Sequence, residues 1–219
     1  MSDAATTWMS LSPPWQAAFE AAWASWRSGS AAVGAVITRP DGLVAASGRN
    51  RISDARNGPG PLAGTYMAHA EMNALACLPP GRFAGYALYT TFEPCFMCTA
   101  AITGTYRIPK VLFAEYDPAW KDLEATLRRH PAVFGRLPER EHLGGPYGAL
   151  AHVLHLTWLV QHAPGFLDAH QRLAPGRLGL ARELIDRSVL RELDEADAAP
   201  AEVAQALWSE LQELASPGG

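Results

Sequence analysis

The chain has 219 residues, of which 48% are hydrophobic and 18% are charged, and its formal net charge is −4. This composition excludes a disordered chain and allows one sizeable core. It also counts against a large nucleic-acid partner, because folded proteins that bind nucleic acids usually present a basic patch. Here the first 130 residues are nearly neutral and the remainder is acidic.

Helices and strands alternate in the pattern predicted for residues 1–130. Pro13 and Pro14 suit a helix start, and the β-branched runs on either side of the turn sequence "RPDG" predict a hairpin. The predicted elements are, in chain order, helix 14–27, strands 32–38 and 43–49, helix 68–78, strand 85–91, helix 94–105, strand 110–116 and helix 118–130. This order predicts an α/β fold in which helices cover a mixed central sheet.

A long loop is predicted at residues 51–66, where "GPGP" and a further glycine interrupt any regular pattern. Loops of this length in a compact domain are often functional. Beyond Pro131 no strand pattern recurs, and the predicted helices are 148–163, 180–196 and 200–215. We therefore predict two parts, a core over residues 1–130 and a helical extension over residues 131–219 that packs on it.

The sequence also indicates a soluble, cytoplasmic protein. It contains no run of about 18 consecutive apolar residues that could span a membrane. The N-terminus lacks a basic segment followed by an apolar one, so it does not resemble a signal peptide. Three cysteines are too few, and odd in number, for a secreted disulfide framework.

Cys95 and Cys98 are three residues apart at the start of a predicted helix, so their side chains share one face and the helix N-terminus stabilises thiolates. Such a pair alone fits either a thioredoxin-like redox site or part of a zinc site. A catalytic zinc needs three protein ligands, and His69 can supply the third. Glu71 could then carry protons for a zinc-bound water. Cys77 has no such motif partner and is predicted to be a core residue.

"HAEMNAL" (69–75) and "TFEPCFMCTAAI" (91–102) together resemble the two ligand-bearing segments of the zinc-dependent cytidine and deoxycytidylate deaminase superfamily. "VGAVI" (33–37) and "GRN" (48–50) are similar to its first strand and its base-contacting strand end. The resemblance covers about residues 31–117 and is closest to the branch of guanine deaminases and tRNA adenosine deaminases. It implies a three-layer α/β/α sandwich of the cytidine-deaminase type with a mixed central sheet, here with a C-terminal helical extension.

The resemblance further implies one Zn²⁺ per chain, held by His69, Cys95 and Cys98, together with a catalytic water. Glu71 would take a proton from this water as it attacks a ring carbon bearing an exocyclic amine, and return protons until ammonia leaves. The substrate contacts that the resemblance implies or suggests are Asn50, the backbone N–H groups of Ala70 and Cys95, Asp117, Glu115 and Tyr106.

These substrate contacts have plain structural alternatives. Asn50 is an ordinary turn residue, Asp117 could cap the helix predicted at 118–130, and Tyr106 could be a core aromatic. The histidines of the helix predicted at 148–163 are expected to be partly buried or at the surface rather than to bind metal.

The favoured function is zinc-dependent hydrolytic deamination of a small nucleobase or nucleoside, with guanine-type bases first. Three alternatives stay open: a tRNA adenosine deaminase, a non-catalytic deaminase-like zinc-binding subunit that binds a partner through the extension, and a redox protein with a Cys95–Cys98 disulfide. Because the superfamily commonly forms dimers, we expect a homodimer. A nucleic-acid partner is disfavoured, and no membrane association is expected.

Overall fold

A mixed sheet of five strands lies at the centre of the computed structural model, which describes residues 4–56, 58, 60–135 and 137–216. The strands are β1 (Gly34–Thr38), β2 (Val44–Arg49), β3 (Ala87–Thr90), β4 (Lys110–Phe113) and β5 (Glu139–His142). They lie in the spatial order β2-β1-β3-β4-β5. Strand β1 is antiparallel to β2 and β3, whereas β4 is parallel to both of its neighbours, β3 and β5.

The described α-helices surround this sheet. They are α1 (Ala4–Ser10), α2 (Pro13–Arg27), α3 (Ala70–Ala76), α4 (Phe96–Ala100), α5 (Leu123–Arg128), α6 (Pro131–Phe134), α7 (Gly145–His162), α8 (Leu167–Leu173), α9 (Pro175–Asp186), α10 (Val189–Glu195), α11 (Pro200–Ala206) and α12 (Trp208–Ala215). A π-helical segment continues α4, and short 3₁₀ turns precede α5 and α8. Within the described ranges, none of these helices has the length and apolar character needed to cross a bilayer.

Alternating side chains of the strands contact two helical layers, as the period-2 geometry of a strand requires. On one face, Val36 of β1 and Leu112 of β4 pack in a cluster with α2 and α7. On the other face, Ile37 and Phe113 pack with α3 and the segment after α4. The predicted three-layer α/β/α sandwich with a mixed central sheet is therefore confirmed.

Several predicted helices are interrupted in the structure. The helix predicted at 118–130 is a 3₁₀ turn at Pro118–Trp120 followed by α5. The helix predicted at 180–196 is divided between α9 and α10, because Ser188 adopts a left-handed φ of 57° between them. The helix predicted at 200–215 is divided between α11 and α12, and α1 was not predicted.

The expectation that no strand follows residue 131 is wrong, because β5 pairs with β4. The sequence of β5, Glu-Arg-Glu-His, contains no apolar residue, and the strand lies at the outer edge of the sheet with most of its side chains exposed. Such a strand lacks the hydrophobic alternation that identifies strands in a sequence. The sheet thus extends beyond residue 130, while the division into a core over 1–130 and an extension over 131–219 stays a prediction.

Helix α7 connects the later helices to the sheet. Leu150 and Leu154 of α7 belong to the same buried cluster as Phe19 of α2. The indole Nε1 of Trp26 also donates a hydrogen bond to Thr157 Oγ1 at 3.0 Å. The helices beyond residue 144 therefore form part of the layer that covers one face of the sheet.

Gly48 of β2 allows α3 to lie directly on the face of the sheet opposite to α2 and α7. A Cβ atom at this position would lie 2.4 Å from both the Ala70 carbonyl oxygen and the Ala74 backbone nitrogen. Because both atoms belong to helical backbone, no side-chain rotation can relieve the contact, and α3 would have to move. The side chain of His69, at the N-cap of α3, would move with it.

We expect Gly48→Ala to lower the free energy of unfolding by roughly 1–3 kcal/mol, because overpacking forces α3 away from the sheet. Chemical denaturation measures this change. Gly179→Ala is the control, since nothing lies within 4 Å of the added Cβ in α9, and it should raise stability by about 0.5–1 kcal/mol. Equal stabilities of the two variants would contradict the close approach at Gly48.

Candidate metal centre and adjoining cavity

The candidate site lies at one end of the sheet, where the chain leaves three strands. Because β1 is antiparallel to both β2 and β3, the carboxyl ends of β2, β3 and β4 lie at the same end. Asn50 follows β2, Cys95 lies shortly after β3, and Asp117 lies shortly after β4. The carboxyl ends of strands are the usual ligand sites of open α/β sheets.

His69, Cys95 and Cys98 meet where α3 and α4 begin. His69 and Cys95 occupy the N-cap positions of α3 and α4, and Cys98 lies within α4. His69 Nδ1 is 3.6 Å from Cys95 Sγ and 3.5 Å from Cys98 Sγ, and the three ligand atoms lie within 4.8 Å of one another. Zn–N and Zn–S bonds of about 2.1 and about 2.3 Å at a tetrahedral angle separate N and S by about 3.6 Å. The three side chains therefore fit a zinc site, and neither Cys95 nor Cys98 is part of a disulfide.

The two thiols differ strongly in acidity. The hydrogen bond from the Cys98 thiol lowers the pKa of Cys95 to about 4. The same bond, together with burial, raises the pKa of Cys98 well above its ordinary range. Cys95 is thus a thiolate at neutral pH, which is the form that binds zinc.

Glu71 lies in the first turn of α3 with its carboxyl group beside these ligands. Its Oε2 is 3.5 Å from Cys98 Sγ, and its Oε1 accepts a hydrogen bond from Thr90 Oγ1 at 3.3 Å. The residue is only 3% exposed, and burial raises the pKa of its carboxyl group. A carboxyl group with a raised pKa is suited to accept and return a proton near neutral pH.

Asn50 is fixed by its backbone and one side-chain atom. Its N–H donates to the Val33 carbonyl at 2.9 Å, and its carbonyl accepts from Ser25 Oγ at 2.6 Å. Its Oδ1 accepts from the Ile52 N–H at 3.0 Å, which is the predicted turn chemistry. Its Nδ2 has no hydrogen-bond partner among the described residues and is available as a donor to a ligand.

A cavity of about 290 Å³ adjoins His69, Glu71 and Cys95. Loop 51–66 contributes Ile52 and Tyr66 to its wall. The chain beyond residue 144 forms another part of the wall with His155, Trp158, Leu159, Ala163, Phe166 and His170. The candidate metal centre therefore borders a cavity to which both parts of the chain contribute.

Asp117 lines this cavity and also begins the 3₁₀ turn that precedes α5. Its Oδ1 accepts from the Ala119 N–H at 2.9 Å, so the predicted capping role is present. Burial raises the pKa of its carboxyl group to about 7, although the Ala119 N–H opposes this shift. Both interpretations of Asp117, as a cap and as a cavity residue, are compatible with its position.

The other suggested substrate contacts do not line the cavity. Glu115 Oε2 pairs with Arg177 Nη1 at 2.6 Å and so joins the end of β4 to α9. Tyr106 packs against Phe83 with ring centroids 5.7 Å apart. Ala70 is completely buried at the first position of α3, where it adjoins His69.

The predicted burial of one cysteine and of one histidine is wrong. Cys77 is exposed rather than in the core, because it follows the last turn of α3. His152 is 1% exposed and so is neither a surface residue nor partly buried. His155 lines the cavity, and its ring stacks on Phe92 with centroids 4.5 Å apart. Its buried Nδ1 has no hydrogen-bond partner in the described part of the chain.

Glu93 is a site residue that the sequence analysis missed. It is 6% exposed, lines the cavity, accepts a hydrogen bond from the Asp117 N–H at 3.0 Å and pairs with Arg140. Its position immediately before Pro94, inside the second ligand segment, could have identified it as a site residue from the sequence. No comparable signal marks His155 or His170, because the packing of α7 and α8 alone brings them to the cavity.

Comparison with known proteins gives one family match. The family model of the cytidine and deoxycytidylate deaminase zinc-binding region matches residues 12–115. A tRNA-specific adenosine deaminase of Agrobacterium fabrum is 33% identical over 123 residues, which are 54% of this chain and 71% of the relative. One of Bacillus subtilis is 34% identical over 94 residues, which are 41% of this chain and only 52% of that relative.

A solved structure with a similar fold is that of a guanine deaminase from Nitrosomonas europaea. It matches with a TM-score of 0.50 and 17% identity, over 68% of this chain and 85% of the other. At this identity the likeness supports the fold alone.

Cys98→Ala should lose bound zinc, because two protein ligands do not complete a tetrahedral catalytic site. Metal analysis of the purified protein measures the loss. Cys77→Ala removes an exposed thiol outside the site and should retain one zinc per chain. Full zinc occupancy in Cys98→Ala would refute the ligand assignment.

Burial lowers the pKa of His155 to about 3, so this histidine is neutral in the folded protein at pH 7. The unfolded chain, with a histidine pKa of about 6.5, binds more protons between these values, and His155 therefore destabilises the fold as pH falls below 6.5. The stability of His155→Phe relative to wild type should rise by up to about 1.4 kcal/mol per pH unit from pH 6.5 toward 4.

Denaturation curves of both proteins, with zinc content recorded at each pH, measure this difference. Titration of Asp117 and release of zinc affect both proteins and largely cancel in the comparison. A stability difference that does not change with pH would show that the fold does not hold His155 in its neutral form.

Proposed function

This chain belongs to the cytidine and deoxycytidylate deaminase zinc-binding family, and we propose that it is a zinc-dependent hydrolytic deaminase of a small nucleobase or nucleoside, with a guanine-type base favoured. The family relationship and the three ligands support zinc chemistry. The size and composition of the cavity support the class of substrate.

The residues that line the cavity are the main evidence for a small substrate. No lysine or arginine occurs among the described residues that line it, so the wall provides no cation for a phosphate. Trp158 and Phe166, from the chain beyond residue 144, contribute aromatic rings to this wall. Its volume of about 290 Å³ is at the lower end of the range for small-molecule sites.

His69, Cys95 and Cys98 would hold the metal, and zinc bound there lowers the pKa of a water molecule toward about 7. Glu71 accepts a proton from the water that adds to the amine-bearing ring carbon, and gives it to the adjacent ring nitrogen. Glu71 then transfers the second proton of that water to the amine, the C–N bond breaks and ammonia leaves. The raised pKa and burial of Glu71 support these roles.

Two polar groups would orient the base. The bond from the Ile52 N–H to Asn50 Oδ1 fixes the orientation of the amide, and Nδ2 has no hydrogen-bond partner within the described ranges, so it can donate to a base. The carboxyl group of Asp117 would accept a hydrogen bond from a ring N–H, which guanine-type bases possess. The apolar side chains around these groups would exclude water from the ring.

The second candidate is a tRNA adenosine deaminase, which is what both curated relatives are named. Arg49 and Arg51 argue against it, because both pair with Asp54, at 2.7 and 2.8 Å, and help to hold loop 51–66. They are therefore poorly suited to form the basic patch that a nucleic acid requires. A zinc-binding subunit without catalysis is the third candidate. The expected homodimer and cytoplasmic location stay predictions.

Ammonia release from zinc-loaded protein tests the proposal against guanine, adenine, cytosine, their nucleosides and an adenosine-bearing anticodon stem-loop. We expect turnover of at least one free base or nucleoside and none of the stem-loop. Glu71→Gln should keep one zinc and lose at least about 10²-fold in rate, because it removes the proton carrier.

Each alternative has its own result in this assay. Inosine formation in the stem-loop would favour the tRNA deaminase. One zinc per chain without any turnover would favour the non-catalytic subunit. Activity retained by Glu71→Gln would contradict its role as the proton carrier.

A further inference from the structure

Two histidines outside the metal centre belong to a chain of polar contacts that ends at the cavity. Arg177 Nη1 forms an ion pair with Glu115 Oε2 at 2.6 Å and donates a hydrogen bond to His152 Nδ1 at 3.1 Å. His152 Nε2 is in turn 2.9 Å from His170 Nδ1. Four residues from separate elements thus connect the end of β4 with α8.

The guanidinium group determines where the protons of this chain lie. Arg177 can only donate, so His152 Nδ1 is an acceptor. Neutral His152 then carries its proton on Nε2 and donates it to His170 Nδ1, which leaves the proton of neutral His170 on Nε2. Burial lowers the pKa of His152 well below its ordinary value and that of His170 to about 4, so both rings are neutral at pH 7.

His170 lines the cavity, and its Nε2 lies toward Asp117. The distance from Nε2 to Asp117 Oδ1 is 3.8 Å, which is too long for a direct hydrogen bond. Nε2 has no hydrogen-bond partner among the described residues. A ligand in the cavity would therefore meet an N–H donor and a carboxyl group side by side.

We propose that His170 determines substrate specificity by donating its Nε2–H to a ring oxo group while Asp117 accepts the neighbouring ring N–H. This inference rests on the proposed function and narrows its substrates to amino-substituted bases with an oxo group beside a ring N–H. Arg177 and His152 are positioning residues, because they act only through the tautomer of His170.

A purely structural role of His170 would explain its hydrogen bond with His152. It would not explain why the Nε2–H of His170 is directed to the cavity. His170 is 1% exposed overall but lines the cavity, and its Nε2–H has no hydrogen-bond partner in the part of the chain that the structure describes. A polar group that faces a cavity is satisfied by water or by a ligand. A ligand oxo group would satisfy this donor.

The chemical probe is a pair of purines that share the 2-amino group. Guanine has the 6-oxo group and the adjacent N–H, and 2-aminopurine lacks both. Steady-state ammonia release gives KM and kcat for each purine with the zinc-loaded full-length protein.

Two substitutions of His170 distinguish the contact from the packing. His170→Asn retains an acceptor near the Nδ1 position and loses the cavity-facing donor, whereas His170→Gln extends an amide N–H toward the Nε2 position. We expect His170→Asn to raise KM for guanine by at least about tenfold with little change in kcat, and to leave any 2-aminopurine turnover within about threefold. His170→Gln should restore much of the guanine KM. Equal losses for both purines, or no loss for guanine, would overturn the proposal.

The positioning role of Arg177 has a spectroscopic test. Nitrogen-15 NMR of the histidine rings should show the Nε2–H tautomer of His170 at pH 7 in wild type. Arg177→Gln, which can donate or accept, should mix the tautomers and raise KM for guanine, whereas Arg177→Lys, which only donates, should preserve both properties. An Nδ1–H or charged His170 in wild type would overturn the relay.

Failure of the proposed function remains distinguishable from failure of this inference. If wild type deaminates no member of the full panel, the proposed function is contradicted, and guanine is then titrated as a ligand of the zinc-loaded protein. A shift of the His170 Nε2 resonance that guanine causes and 2-aminopurine does not would support the contact. No shift at millimolar guanine would overturn it.

Discussion

Strand β1 runs antiparallel to both of its neighbours, and this reversal brings the carboxyl ends of β2 and β3 to the same end of the sheet. The cysteine ligands, Asn50 and Asp117 all follow strands that end there, so their proximity results from strand direction rather than sequence spacing. Helix α3 must then lie close enough to the sheet for His69 to complete the ligand set. Gly48 permits that approach, since any larger residue would contact the backbone of the helix.

The chain beyond residue 144 contributes to the site without supplying any of the three predicted metal ligands. Helix α7 is anchored in the hydrophobic core, and its last turns, with α8, complete the wall of the cavity. In the proposed mechanism, Glu71 in the first part of the chain transfers protons, and the second part of the chain helps to recognise the ring. Under that proposal, changes in the later helices would alter the accepted substrate while the residues proposed for chemistry stay unchanged.

The ligand segments were predictable because their evidence is local. His69, Glu71, Cys95 and Cys98 lie in two short stretches whose spacing restricts the chemistry, and the fold class follows from the order of helices and strands. Glu115 was a poorer prediction, since it follows the same strand as Asp117 but points to Arg177 instead of the cavity. His155 and His170 depend on how α7 and α8 pack, and no spacing in the sequence records that packing. Strand β5 was missed because a polar edge strand has no hydrophobic alternation.

The charged character of β5 has a consequence for the behaviour of the protein in concentrated solution. An outermost strand presents unpaired backbone groups that can template pairing with another molecule. In β5 the side chains of Glu139 and Glu141 are exposed, and Lys110 of the adjacent strand pairs with Glu141. Charged side chains along an outermost strand disfavour pairing of its backbone with another copy. The same polarity that hides this strand from sequence analysis therefore protects the folded sheet against growth into aggregates.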